Sequence, residues 1–255
     1  MSQFSKKEAI KFGWQKMQQN FKFLLLVMIL MMVVQGVQSG IGQLTQGDEG
    51  AMVVATGLIG VVFWVINIIL ALGMIKIALQ IVDGNKPTFD DLLNNWDVIV
   101  KYFLTSIVYG LISFVAFIVG LLPAAILYGI MYATSGSPTT MQTIIIAAVG
   151  AIMALVVTIY FSIKYQFAQY FTVSEKQGPM TAIKSSATVT KGEIGNLFLF
   201  GLLVVLVNIA GALVFLIGLF ATIPTTMIAT AHVFRKLQGK GVPNPIPLPE
   251  TKPAL

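Results

Sequence analysis

The chain alternates long apolar runs with short polar segments, and the run lengths give the first reading. Residues 23–40, 51–82, 98–122, 142–173, 196–216 and 219–236 are predominantly apolar. At 1.5 Å per helical residue each approaches or exceeds the roughly 30 Å hydrocarbon core of a bilayer. Two stretches are too long for one simple crossing. Residues 98–133 would make a helix of about 54 Å, so a break is expected at Gly120-Leu121-Leu122-Pro123, with residues 124–133 re-entrant or interfacial. Residues 197–236 would make about 60 Å, so a reversal is expected between Gly218 and Pro224. Thr222, Thr225, Thr226 and Thr230 can bond the carbonyls that Pro224 frees. The predicted fold is all-α: a polytopic transmembrane helical bundle of about six spans.

The polar segments are patterned too. Residues 2–22 read as an amphipathic helix, with Ser5 and Glu8 placed for a capping box and Ile10, Trp14, Met17 and Phe21 on one face. Residues 88–97 read as a second, capped by Thr88 with Asp90 and Asp91 in its first turn and striped by Phe89, Leu92, Leu93 and Trp96. Residues 180–190 give a weaker stripe of Met180, Ile183 and Ala187, after which Thr190 and Glu193 offer a cap for the next span. Each amphipathic segment precedes a pair of spans, and the first and third share Ala-Ile-Lys (9–11 and 182–184). The expected plan is three degenerate helix–hairpin repeats. It is followed by a Pro-rich tail, 239–255, with proline at 243, 245, 247, 249 and 253.

Composition agrees with lipid as the solvent: 56% of residues are apolar and 10% charged, against about 45–50% and 25% for soluble domains. Charge sets the orientation. With the six spans above, all 16 Lys and Arg residues fall on one face, at 6–22, 76–101, 164–191 and 235–252, and the opposite face holds Asp48 and Glu49. The positive-inside rule then predicts a multi-pass protein of the cell (cytoplasmic) membrane, bacterial inner membrane in type, with both termini cytoplasmic. The lysines flank apolar runs and form no aromatic-interleaved patch, so nucleic acid is not an expected partner. The expected partners are membrane lipids with anionic headgroups, met by Trp14 and Trp96 as interfacial anchors, and a protein at the cytoplasmic face.

Candidate chemistry is sparse. Gln35, Asn67 and Asn208 lie within spans as a candidate intramembrane polar site, or as interhelical glue. Gly36 and Gly40, and the pairs Ala147/Ala151 and Gly150/Ala154, have the spacing of close helix contacts. Asp90, Asp91 and Asp97 are explained by capping and solvation, Lys76 by snorkelling, and His232 by a helix-end dipole contact near Arg235. No nucleophile–base pair or metal-ligand spacing is visible, and there is no cysteine. No catalytic, cofactor-binding or metal site is expected, and no cofactor. The expected function is a non-enzymatic scaffold, assembly or envelope-homeostasis factor. The alternative is a transporter or lipid-handling protein that uses helices broken at hinges Gly120/Pro123 and Gly218/Pro224.

One stretch carries a family likeness. Gly178-Pro179, Ala182-Ile183-Lys184-Ser185, Thr190-Lys191-Gly192, the apolar run with Gly211 and Gly218, and Ile223-Pro224 followed by His232-Val233-Phe234-Arg235 resemble the membrane domain of some glycerophosphoryl diester phosphodiesterases. They also resemble a broad set of stand-alone, uncharacterised six-helix bacterial membrane proteins. The resemblance implies a membrane architecture and no reaction. The catalytic barrel of those phosphodiesterases is a separate soluble domain for which the short stretch after the last span gives no room, so no catalytic residue carries over.

Overall fold

The computed structural model describes residues 4–44 and 51–239. The acidic loop around Asp48 and Glu49 and the Pro-rich tail lie outside the described residues. The described residues are helical, without strands: α1 Lys6–Gln19, α2 Phe21–Leu44, α3 Ala51–Val82, α4 Phe89–Leu93, α5 Trp96–Ser135, α6 Thr140–Tyr165, α7 Ala168–Glu175, α8 Pro179–Val189, α9 Ile194–Leu213 and α10 Leu219–Leu237. Five stretches are long and apolar enough to cross a membrane: Phe21–Gln43, Thr56–Val82, Trp96–Ser135, Thr140–Glu175 and Ile194–Leu213. Few of their residues are buried within the protein, so their apolar surface is left for lipid. This is a helical membrane protein. Two compact units can be distinguished, Met1–Ile99 with Leu199–Leu255, and Val100–Phe198.

In the first unit, the core lies at the ends of the long helices. Leu72, Ile77, Ala78, Ile81 and Val82 of α3 are buried, with Leu92 of α4, Phe12 and Met17 of α1, and Ile228, Val233 and Phe234 of α10. The start of α4 follows from its sequence: the Thr88 hydroxyl accepts from the Asp91 amide (3.3 Å) and the Asp91 carboxylate accepts from the Thr88 amide (3.0 Å). α1 opens on Ser5, whose hydroxyl accepts from the Glu8 amide at 3.4 Å, while the Glu8 carboxylate lies 3.6 Å from the Lys236 ammonium. Asn20 separates α1 from α2, so the expected helix over 2–22 is shorter.

The apolar face expected to meet the lipid interface is divided in the structure, with Met17 turned onto protein. Ala9, Phe12, Gly13 and Met17 are buried, whereas Trp14 and Phe21 are exposed and Ile10 is half-buried. Gly13 decides this. A side chain there would collide with the Thr225 carbonyl and press on Ala229, so only a glycine lets α1 lie this close to α10.

Both proline breaks expected from the sequence are absent. α5 is a continuous helix of 40 residues with Pro123 inside it, and residues 124–133 continue it instead of re-entering. The reason is packing on either side of the proline. Gly120 lies against the backbone at Ala154 and Ala124 against Gly150, so α6 splints α5 across the missing hydrogen bond. Pro224 likewise lies inside α10, where α1 holds the next turn through Gly13 on Thr225. The reversal between α9 and α10 falls earlier, at 214–218, with Gly218 against Gly211. Gly36 and Gly40 meet nothing within 4 Å, and α2 runs past both.

In the second unit, α6 ends at Tyr165 and α7 begins at Ala168, so the expected span over 142–173 is two helices. α8 packs on both. The Ser186 hydroxyl donates to the Lys164 carbonyl (3.1 Å) and accepts from the Phe167 amide (3.2 Å), which satisfies the backbone freed at the joint. Thr190 ends α8 and does not cap α9; its hydroxyl, fully buried, donates to the carbonyls of Lys164 (3.0 Å) and Ser186 (2.9 Å).

Candidate functional site

A set of polar contacts in the first unit joins the ends of α1, α3, α4 and α10. Arg235 on α10 donates to Asp83, just past α3, through Nε (2.9 Å) and Nη2 (2.6 Å), and to Gln238 through Nη1 (3.0 Å). This is the two-pronged geometry that a planar guanidinium makes with a carboxylate. Arg235 is 9% exposed, so the guanidinium is sheltered, while the Asp83 carboxylate is reached by water on one side. Lys76 of α3 lies 3.5 Å from Asp91 of α4, so it is paired as well as able to snorkel. His232 is buried and stacks on Phe12 at 4.1 Å, a contact to α1 where a helix-end dipole role was expected. The Arg235–Asp83 pair was missed in the sequence. Its signal was the single arginine among 16 cationic residues, placed at the end of an apolar run.

In both units, taken separately, the short helices also carry exposed apolar side chains. Trp14 on α1, Phe89 and Leu93 on α4, Trp96 at the start of α5 (65% exposed) and Met180 on α8 are all exposed. Lys7, Lys11 and Lys22 are exposed on and beside α1. α1, α4 and α8 thus each have one face on protein and an outward face that carries at least one large apolar side chain, set among polar and charged residues on α1 and α8. Trp14 and Trp96 both belong to the outward set.

Of the intramembrane polar residues, two meet. The Gln35 amide donates to Asn67 Oδ1 (2.7 Å), and Asn67 Nδ2 donates to Gln38 Oε1 (3.3 Å) and to the Phe63 carbonyl (2.8 Å). This ties α2 to α3. Asn208 is elsewhere: its amide donates to Thr226 Oγ1 (3.2 Å) and the Val204 carbonyl (3.0 Å), tying α9 to α10. These are pairwise links between neighbouring helices, and among the described residues no hydrogen bond joins Asn208 to Gln35 or Asn67. Among the hinge residues, Gly120 and Gly218 serve as points of close approach, and Pro123 and Pro224 as interior helix residues.

The second unit holds an apolar cavity of about 400 Å³ between α5 and α6, lined by Leu111, Ile112, Val115, Val119, Phe161 and Tyr165 among others. The two helices touch at Gly120 and Ala154, and the cavity lies to one side of that contact. The Lys164 ammonium sits over the rings of Tyr165 (5.4 Å) and Phe161 (5.9 Å), both of which line it. Sequence patterning could not have found this cavity, because every lining residue also reads as an ordinary span residue.

No group of three His, Asp or Glu side chains among the described residues is placed to hold a metal ion. Asp91 caps α4, and Asp90 accepts from Asn94 at 3.2 Å. Comparison with curated proteins finds no match, and comparison with solved structures finds none. The profile of the family described as "Domain of unknown function (DUF7847)" matches residues 8–249, nearly the whole chain, and the protein therefore belongs to that family.

Proposed function

We propose that the protein is a non-enzymatic integral membrane scaffold of the cytoplasmic membrane, which meets anionic lipid and a protein partner through its lysine-bearing face. The observation that carries this reading is the two-sidedness of the short helices: Trp14, Trp96 and Met180 face outward while their neighbours pack on protein. Outward tryptophans beside lysines suit the headgroup layer, where the rings take the apolar boundary and the ammonium groups face anionic lipid. All 16 cationic residues fall outside the runs or near their ends on one face of the six-run plan, which favours cytoplasmic termini. The order of elements favours three helix–hairpin repeats, since α1, α4 and α8 each precede two long helices. On this reading the likeness of residues 178–235 to the membrane domain of glycerophosphoryl diester phosphodiesterases is one of architecture.

The test is retention of lipid and protein by the full-length chain extracted in native membrane discs. The scaffold reading expects anionic phospholipid enriched over bulk membrane, less so in a Trp14→Ala, Trp96→Ala variant, and a protein cross-linked through the lysine-bearing face. Bulk lipid composition in both forms and no cross-linked protein would refute it. A second reading, lipid handling, is favoured by the cavity between α5 and α6 with Lys164 over its aromatic wall. It expects one lipid retained stoichiometrically and lost on Val115→Trp.

A further inference from the structure

We infer that the α9–α10 hairpin enters the bilayer only part way, so that its tip, residues 213–217, ends among lipid acyl chains near the membrane middle. The first observation is the tip itself. Leu213, Val214, Phe215, Leu216 and Ile217 are all bulky, apolar and exposed, Phe215 at 90% and Ile217 at 71%. From Ile209 to Ala221 no side chain is polar. The α5–α6 turn is made instead of Ser-Gly-Ser-Pro-Thr, as a turn in water or at a headgroup should be.

The second observation is the backbone of the turn. A chain reversing in hydrocarbon gains by bonding its own amides, because no water is there to do so. Four amides of the turn do this: those of Leu216, Gly218, Leu219 and Phe220 donate to Ala212, Val214, Leu216 and Ile217 at 3.0–3.3 Å, while those of Val214, Phe215 and Ile217 have no backbone partner among the described residues. Phe215 and Leu216 adopt left-handed φ values of 49° and 62° to achieve it, with no glycine or asparagine at either position.

The third observation is depth, and two measures agree. α1 lies antiparallel along the end of α10, with Glu8 at Lys236, Phe12 at His232 and Gly13 at Thr225. Beyond Gly13, α1 ends in Lys16, Gln18, Gln19 and then Lys22, of which all but Lys16 are exposed, so this level cannot lie deep in hydrocarbon. From Thr225 to the tip is about ten residues, or about 15 Å of helix, half of the roughly 30 Å core. Measured from the other end, the Arg235–Asp83 pair sets the ends of α10 and α3 level. α3 has 32 residues and α10 has 19, so on running back beside α3 the hairpin turns about 20 Å before α3 does.

The occupant of the tip surface is thus the acyl-chain region, and the inference holds whichever face the termini occupy. The test uses the absence of native cysteine. Phe215→Cys is spin-labelled in detergent, reconstituted, and its collision rates with oxygen and with a water-soluble nickel chelate are compared by power saturation. Ser137→Cys in the α5–α6 turn and Ile152→Cys on the exposed face of α6 are the references. The expected result at 215 is a high oxygen and low nickel rate, matching position 152. Nickel access at 215 equal to that at 137 would place the tip in water or headgroups and overturn the inference. Ile217→Cys is measured alongside, so that poor assembly of one variant does not leave the question open.

Discussion

Removing the acceptor of the Arg235–Asp83 pair should destabilise the first unit, and its size can be worked from the geometry. Asp83→Ala leaves a guanidinium whose side chain is 11% exposed with its hydrogen bond to Gln238. Breaking a fully buried ion pair costs about 3–5 kcal/mol, whereas exposed pairs contribute about 0–1. The Asp83 side chain is 39% exposed, which admits water to one side of the contact. The expected loss therefore lies between those limits, at about 2 kcal/mol. Arg235→Met keeps most of the stem packing and leaves an Asp83 that water can reach, so it should cost less. The double variant should be more stable than the sum of the single losses predicts, with a coupling of about 1–2 kcal/mol. Denaturant unfolding in mild detergent, followed by tryptophan fluorescence, gives all four corners of the cycle. Glu8→Gln is the control, because the Glu8–Lys236 pair is well exposed and should shift stability by under about 0.5 kcal/mol. Additive single losses, or an Asp83→Ala loss no larger than the control, would refute the argument that this pair holds α10 to α3.

Other outcomes follow from particular contacts. Gly13→Val should lift α1 from α10, with a loss of about 1–3 kcal/mol and faster amide exchange in α1, because the new side chain meets the Thr225 carbonyl. Pro224→Ala should leave the hairpin in place and its stability nearly unchanged, while Gly218→Leu should part α9 from α10 and lower the unfolding temperature, since the reversal lies at 214–218. In intact cells Ser137→Cys should react with an impermeant maleimide and Gln177→Cys only after permeabilisation; the reverse pattern would invert the proposed orientation.

The apolar runs, the Thr88 cap and the close contact at Gly150 and Ala154 were all legible in the sequence, because each depends on local spacing. The proline breaks were misread for a shared reason. The length argument assumed that a helix must end where hydrocarbon ends, yet α3 runs on into a layer built by α1, α4 and α10, and α5 runs unbroken through Pro123 with α6 packed against it. A proline weakens one turn, and a neighbouring helix can hold the turns on both sides of it. The side of α1 that docks on protein was not read in the sequence. Periodicity selects the most apolar stripe, through Ile10 and Trp14, but contact with α10 is decided by how closely two backbones approach, which favours Ala9 and Gly13. The Arg235–Asp83 pair and the α5–α6 cavity depend on three-dimensional juxtaposition, which carries no local signature.

The separation of Arg235 from Asp83, 152 residues along the chain, has a consequence for biogenesis. α1, α3 and α4 leave the ribosome early, but α10, which packs on Phe12 and Gly13, is made much later. At about 5–20 residues per second, roughly 8–30 s pass between synthesis of the two halves of that pair. During this interval α1 has a Gly13 face with nothing to close on, beside a membrane surface that its lysines and Trp14 can hold. A lipid-bound α1 would be a natural waiting state for the nascent chain, with arrival of α10 converting a surface-bound helix into a packed one. A chain arrested before residue 219 should therefore keep α1 sensitive to protease and to the salt and lipid charge around it, and completion of α10 should remove both sensitivities together.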